Sequence, residues 1–140
     1  MDSYDFVELL KRRARAFLKY SQEAFNRGDY DLACFFAEQA AQLRLKSLIL
    51  RILGMVPRTH RIRELLGTIL KALRNLNYEQ AETVNSFINE SRNTLRVLED
   101  AYTGSRYLER TYDKDDAFDC INLVKELFKL LERVERNVFA

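Results

Sequence analysis

Apolar positions recur along this chain at intervals of three and four residues, the repeat of an α-helix with one buried face. In the first segment they are Val7, Leu10, Ala14, Phe17, Leu18, Ala24 and Phe25. Asp5, with Glu8 three residues on, is the expected N-cap, and Gly28 supplies the left-handed residue that stops a helix. A second stripe runs Ala33, Phe36, Ala40, Leu43, Ser47 and Leu50, entered at Asp29 and ended by Gly54 and Pro57. Its small residues, Ala33, Ala37, Ala40, Ala41 and Ser47, predict a closely packed neighbour. Thr59 is the expected cap of a third helix carrying Ile62, Leu65, Leu66, Ile69, Leu70 and Leu73, which breaks at Asn75-Leu76-Asn77. The fourth stripe, Ala81, Val84, Ile88, Ser91, Leu95, Leu98 and Tyr102, reads as one continuous helix. After a polar and aromatic stretch, Asp115 or Asp116 caps a last helix with Ala117, Ile121, Val124, Phe128, Leu131 and Val134. No period-two alternation occurs. The pattern predicts an all-α fold, an antiparallel up-and-down bundle of four long helices plus one shorter helix.

Composition agrees and narrows the picture. One Pro and four Gly among 140 residues leave few turns, against a sandwich or barrel. No Gly-, Ser- or Pro-rich linker divides the chain, so residues 1–140 are expected to form a single domain. At 47% hydrophobic and 31% charged, the chain is too apolar for disorder and too charged to span a membrane. Its best apolar run, Leu43 to Val56, is interrupted by Arg44, Lys46 and Arg51. The acidic start Met1-Asp2-Ser3-Tyr4-Asp5 does not resemble a signal peptide. Cys34 and Cys120 read as reduced core thiols, and a cytoplasmic location without membrane contact is expected. The first two helices have the length of a tetratricopeptide unit but lack its Trp, Leu-Gly and Pro positions.

The net charge of +2 is unevenly shared. Residues 1–76 carry 14 Lys/Arg against 8 Asp/Glu, and residues 77–140 carry 9 against 13. Such asymmetry suits an anionic partner at the basic half, or self-association of complementary surfaces.

Few residues are left for chemistry. His60 is the one histidine, and a helix-bundle di-metal site would need a Glu three residues before it, where Pro57 stands. No metal and no cofactor are expected. Glycines at 28, 54, 67 and 104 build neither a phosphate loop nor a nucleophile elbow. His60, expected in the first turn of helix three among Arg58, Arg61 and Arg63, could form an anion cradle of amides and guanidiniums. It could equally be a solvated helix start. Lys11, Arg12, Arg15 and Lys19 form a basic flank on helix one, read either as a track for a nucleic-acid backbone or as a wet face paired with Glu8. Residues 102–112 concentrate Tyr102, Tyr107 and Tyr112 with Arg106 and Arg110, suited to stacking on a base or to tying a loop down.

Three segments together resemble the HEPN family, small helical proteins of prokaryotes also found as domains in higher eukaryotes. They are Phe36-Ala37-Glu38-Gln39-Ala40-Ala41 leading to Lys46 and Gly54; Thr59-His60-Arg61-Ile62 with Leu65-Leu66; and Ser105-Arg106-Tyr107. The likeness extends from about residue 5 to 135. It implies a helical bundle that usually dimerises, associates with nucleotide or RNA, and often works with a nucleotidyltransferase encoded nearby, at times as a toxin–antitoxin pair. Lys46, His60, Arg106 and Tyr107 match the family's motif positions, and Arg58, Arg61 and Arg110 join them as candidate nucleotide- or RNA-binding residues.

Three departures stand out. Leu108 replaces the usual Pro after Arg-Tyr, and the usual helix-one Trp is absent. Ribonucleolytic members carry an Arg separated from a His by four to six residues, and the positions that Arg would occupy before His60 are Leu53, Gly54 and Met55. The expectation is a noncatalytic nucleotide- or RNA-binding homodimer with a nucleotidyltransferase partner. A structural helical interaction module without a nucleotide ligand is the alternative, and an active ribonuclease ranks last.

Overall fold

The computed structural model describes residues 2–104 and 107–140. Among the described residues the chain is all α-helix with no strand, in six helices. These are α1 (Ser3–Asn26), α2 (Tyr30–Leu53), α3 (Ile62–Asn75), α4 (Gln80–Glu90), α5 (Arg92–Gly104) and α6 (Lys114–Val138).

Helix α2 is the centre of the bundle, packed by α1, α3, α5 and α6. Ala33, Ala37, Ala40 and Ala41 are wholly buried, and their small side chains let α1 and α2 pack over a long contact. One continuous core joins Leu45, Leu48 and Ile49 of α2 to Leu65, Leu66 and Ile69 of α3, Leu95 and Leu98 of α5, and Leu127 and Leu131 of α6. A smaller cluster, Val7, Leu10 and Leu50, closes the end where α1 begins and α2 finishes. Helix α6 lies along α2 in the same direction. Cys34 and Cys120 meet near the start of both helices, and Arg44 and Arg51 reach Glu135 near their ends.

The caps differ in detail from the pattern's expectation. Helix α1 starts a turn early, with the Asp2 carboxylate accepting the Asp5 amide at 2.8 Å; Asp5 sits in the first turn as a charge favoured by the helix dipole. Asp29 stands at the N-cap of α2 but makes no side-chain cap bond. Helix α6 is capped by Asp113, not Asp115 or Asp116. Asp113 accepts from the Asp116 amide at 2.8 Å while Asp116 accepts from the Asp113 amide at 3.1 Å, a reciprocal capping box. Gly28 and Gly54 adopt φ of +81° and +76° at the ends of α1 and α2, as their positions predict.

The expected fourth helix is broken in two at Ser91, between α4 and α5. Asn89, Ser91 and Asn93 crowd the break, and such side chains compete for backbone groups and weaken a helix interior. Arg92 bonds back to Asn89 Oδ1 at 2.9 Å across it. The apolar stripe continues through the break, with Val84, Leu95 and Leu98 all buried.

Candidate functional site

The connection 54–61 delivers His60 and the start of α3 to the C-terminal half of α5. Thr59 does not cap α3. Its hydroxyl accepts the Arg61 amide at 3.2 Å and donates to Glu64, so the helix begins only at Ile62, with Arg61 as N-cap. His60 therefore precedes the helix rather than occupying its first turn. Its exposed ring lies against Tyr102 of α5, with centroids 4.1 Å apart and a tilt of 30°.

One amide of the expected cradle is already taken from within the chain. Glu99 of α5 accepts the Arg63 backbone amide at 3.1 Å, and Arg63 Nε and Nη2 grip its two oxygens at 3.1 Å each. A carboxylate thus sits at the start of α3, where the dipole favours an anion. Burial pushes the Glu99 carboxyl upward, but the hydrogen bonds and charge of Arg63 outweigh it and hold the group below its ordinary value. The Arg63 amide is therefore not available to an external anion.

Of the side chains, Arg58 and Arg61 are exposed, and Arg61 pairs loosely with Glu64 at 3.8 Å. Arg110 is engaged: Nη1 meets Asp100 at 3.2 Å, and the guanidinium lies 4.5 Å from the Tyr112 ring centroid. Tyr107 is 73% exposed, its amide bonded to the Thr103 carbonyl. Ser105 and Arg106 lie outside the described residues. Lys46 belongs to a different setting, a polar stripe on α2. There the buried Glu38 accepts from Gln39 and Gln42, and burial lowers Lys46 from its ordinary value while Glu38 opposes the shift. The structure thus brings His60, Arg61, Arg63 and Tyr102 together, joins Arg110 to α5 through Asp100, and shows no hydrogen bond or ion pair between Lys46 and that group among the described residues.

The basic flank of helix one is only partly a flank. Arg12, Arg15 and Lys19 are exposed, but Lys11 turns inward to Glu135 at 3.0 Å instead of pairing with Glu8. Glu135 is 6% exposed and also meets Arg44 and Arg51, at 2.5 and 2.7 Å. Sequence reasoning missed this group. The signal was present: Arg44 and Arg51, seven residues apart on an otherwise buried helix, share one face. At the other end, Cys34 and Cys120 are free and buried, and the neighbouring Cys120 together with burial raises the Cys34 thiol far above its ordinary value. Among the described residues no three His, Cys, Asp or Glu side chains converge as metal ligands, and no helix is long and apolar enough to cross a membrane.

Among solved structures, the crystal structure of ST0689, an archaeal HEPN homologue, matches with a TM-score of 0.63 and 27% identity, over 90% of this chain and 94% of that one. That of TT1696 from Thermus thermophilus matches with a TM-score of 0.61 and 26% identity, over 94% of this chain and 96% of that one. No curated protein matches. The family model of the HEPN domain matches residues 7–134, nearly the whole bundle, and the chain belongs to the HEPN family.

Proposed function

We propose that this HEPN protein binds a nucleotide or RNA without cleaving it, through the surface formed by Arg58, His60 and Arg61. The observation that carries the reading is the exposed His60 ring stacked on Tyr102 with two exposed arginines beside it. An exposed aromatic face takes a base by stacking, and guanidiniums take phosphate oxygens. Arg106 and Tyr107 extend this surface by resemblance alone. Catalysis is not part of the proposal, since the Arg-x4–6-His pattern is absent and His60 has no second acid or base assigned beside it. A homodimer with a nucleotidyltransferase partner completes the proposal, on the family resemblance.

A second reading has its own observation. Arg63 and Arg110 are both held by acids of α5, Glu99 and Asp100, so half of the basic surface fastens α3 and the 107–113 segment to the bundle. On that reading the module offers only a protein interface. Titration of short single-stranded RNA and of nucleoside monophosphates at two salt concentrations separates the two. Nucleotide or RNA association predicts binding that weakens with salt, with Arg58→Ala and Arg61→Ala each lowering affinity several-fold and leaving the melting temperature unchanged. No binding at the lower salt would leave the interaction module as the function.

A further inference from the structure

Helix α2 is apolar on more sides than the bundle covers. Phe36, Gln39, Leu43, Lys46, Leu50 and Leu53 follow one another at intervals of three and four residues, the spacing of a seam that holds another helix. Yet Phe36, Leu43 and Lys46 are only half-buried, and Leu53 is 49% exposed. Helix α1 adds a second row with the same spacing: Phe6, Leu9, Arg13, Ala16 and Tyr20. Phe6, Leu9 and Ala16 are half-buried, and Arg13 and Tyr20 are exposed. The rows lie side by side. Phe36 is 6.3 Å from Tyr20 between ring centroids, while Phe6 and Leu43 pack on the same small cluster of Val7, Leu10 and Leu50. Two neighbouring helices with outer seams in step form a trough for a third, about 25 Å long from Phe36 to Leu53. A helix apolar all round belongs in an interior, and this side of α2 has no helix of its own chain over it among the described residues.

Charge selects the helix that fits. Arg13 and Lys46 are the two charged members of the rows, and neither has an ion-pair partner among the described residues. Burial lowers Lys46 from its ordinary value, the mark of a cation partly stripped of water. A second copy on a two-fold axis would bring the same two cations to the seam and no carboxylate to meet them. A nucleic-acid strand of that length needs more than two cations, and an apolar trough offers its phosphates nothing. We propose that the outer face of α1 and α2 docks an amphipathic helix of a different protein, whose apolar stripe is edged by carboxylates that meet Arg13 and Lys46. The apolar rows supply the contact area, and the two cations set register and partner choice. This face shares no residue with the surface of Arg58, His60 and Arg61, so it stands or falls apart from the nucleotide binding proposed above.

The whole chain, labelled with nitrogen-15, is titrated with three synthetic helical peptides long enough to fill the trough. The first carries leucines at heptad spacing edged by glutamates, the second the same leucines edged by lysines. The third keeps the glutamates and replaces the leucines by serine. The expected result is saturable shifts of the amides of Tyr20, Phe36 and Leu43 with the first peptide, and binding at least tenfold weaker for the other two. Leu43→Gln should weaken the first peptide at least tenfold, and Arg13→Glu combined with Lys46→Glu should reverse the preference between the first two. Arg13 is exposed, so Arg13→Glu alone, which should narrow that preference, keeps the test valid should a change at half-buried Leu43 or Lys46 lose structure. No saturable binding of the first peptide, or equal binding of the glutamate- and lysine-edged peptides, would overturn the proposal. Single-stranded RNA moving the same amides would give the face to nucleic acid instead, and a chain mass that halves in Leu43→Gln would give it to a second copy; either result also overturns it.

Discussion

Tyr112 carries its hydroxyl into the core beside the end of α5. The residue is 4% exposed, its amide is fixed to Asp31 Oδ1 at 2.7 Å, and its hydroxyl has no hydrogen-bond partner among the described residues. Burial pushes the phenol up to about 12. A Cβ at position 104 would lie 2.7 Å from that hydroxyl, so this glycine is required by close approach. Gly104→Ala should therefore destabilise the protein by about 1–3 kcal/mol through overpacking. Tyr112→Phe alone should stay within about 1 kcal/mol of the parent, because it removes an unpaired buried polar atom. In the double variant most of the loss should return. Urea unfolding of the four proteins measures the cycle. A Gly104→Ala cost undiminished by the added Tyr112→Phe substitution would show that the hydroxyl contact is not its cause.

Among the elements, α3 depends on a partner helix for its start. Its own N-cap, Arg61, offers no side-chain acceptor, and Glu99 of α5 does that work from 36 positions away in sequence. Glu99→Ala should cost about 1–2 kcal/mol, near the cost of losing a cap. Half-exposed Arg63 keeps the value at the modest end, since solvent screens its share of the pair. Glu99 and Glu135 are both depressed below their ordinary carboxyl value of 4.5 in the folded state. For Glu135 burial pushes upward, and the charge of Arg44 with hydrogen bonds from Lys11 and Arg44 more than offsets it. Depressed carboxylates stabilise the fold fully above the unfolded value, and that stability is lost as pH falls through the folded one. Thermal melts should therefore drop in steps of pH below about 4.5, with a shallower drop in Glu99→Ala. Equal slopes would place the acid sensitivity elsewhere. The same residues mark how far the helices were legible. Local patterns placed the apolar faces of α1 and α3 and the glycine stops, because those depend on neighbours three or four residues away. The stripe read for α2 passed over Leu45, Leu48 and Ile49, which are buried because that helix is packed by several others. The cap of α3 was not legible, because its acceptor comes from another helix, and neither was the break at Ser91, because the buried stripe runs through it unaltered.

On the scale of the whole molecule, the resemblance over residues 5 to 135 anticipates the family match over 7–134, whereas the site was legible only in outline. His60 and its arginines stand out as a short run of charge, but spacing could not show that Glu99 occupies the helix start or that Tyr102 backs the imidazole. The Glu135 group is dispersed over three helices. Self-association tests the same limit. The small residues of α2 suggest a dimer seam, yet Ala33, Ala37, Ala40 and Ala41 are wholly buried within one chain, so a second copy has to use another surface. Large apolar side chains remain exposed near the end where α2 and α6 begin: Leu32 at 43% and Phe118 at 55%, with Phe118 6.5 Å from Phe25 and Phe25 5.6 Å from Tyr30 between ring centroids. An exposed Phe118 edged by the partly buried Phe25 and Tyr30 offers apolar surface for a self-complementary contact about a two-fold axis. Light scattering at micromolar concentration should then give twice the chain mass of 16.6 kDa. Phe118→Arg, placed at a half-exposed position outside the core, should return the mass to one chain without lowering the melting temperature by more than the loss of the dimer explains. A single-chain mass in the parent that stays constant on concentration would exclude the dimer. A doubled mass that survives Phe118→Arg would move the interface away from this end of the bundle.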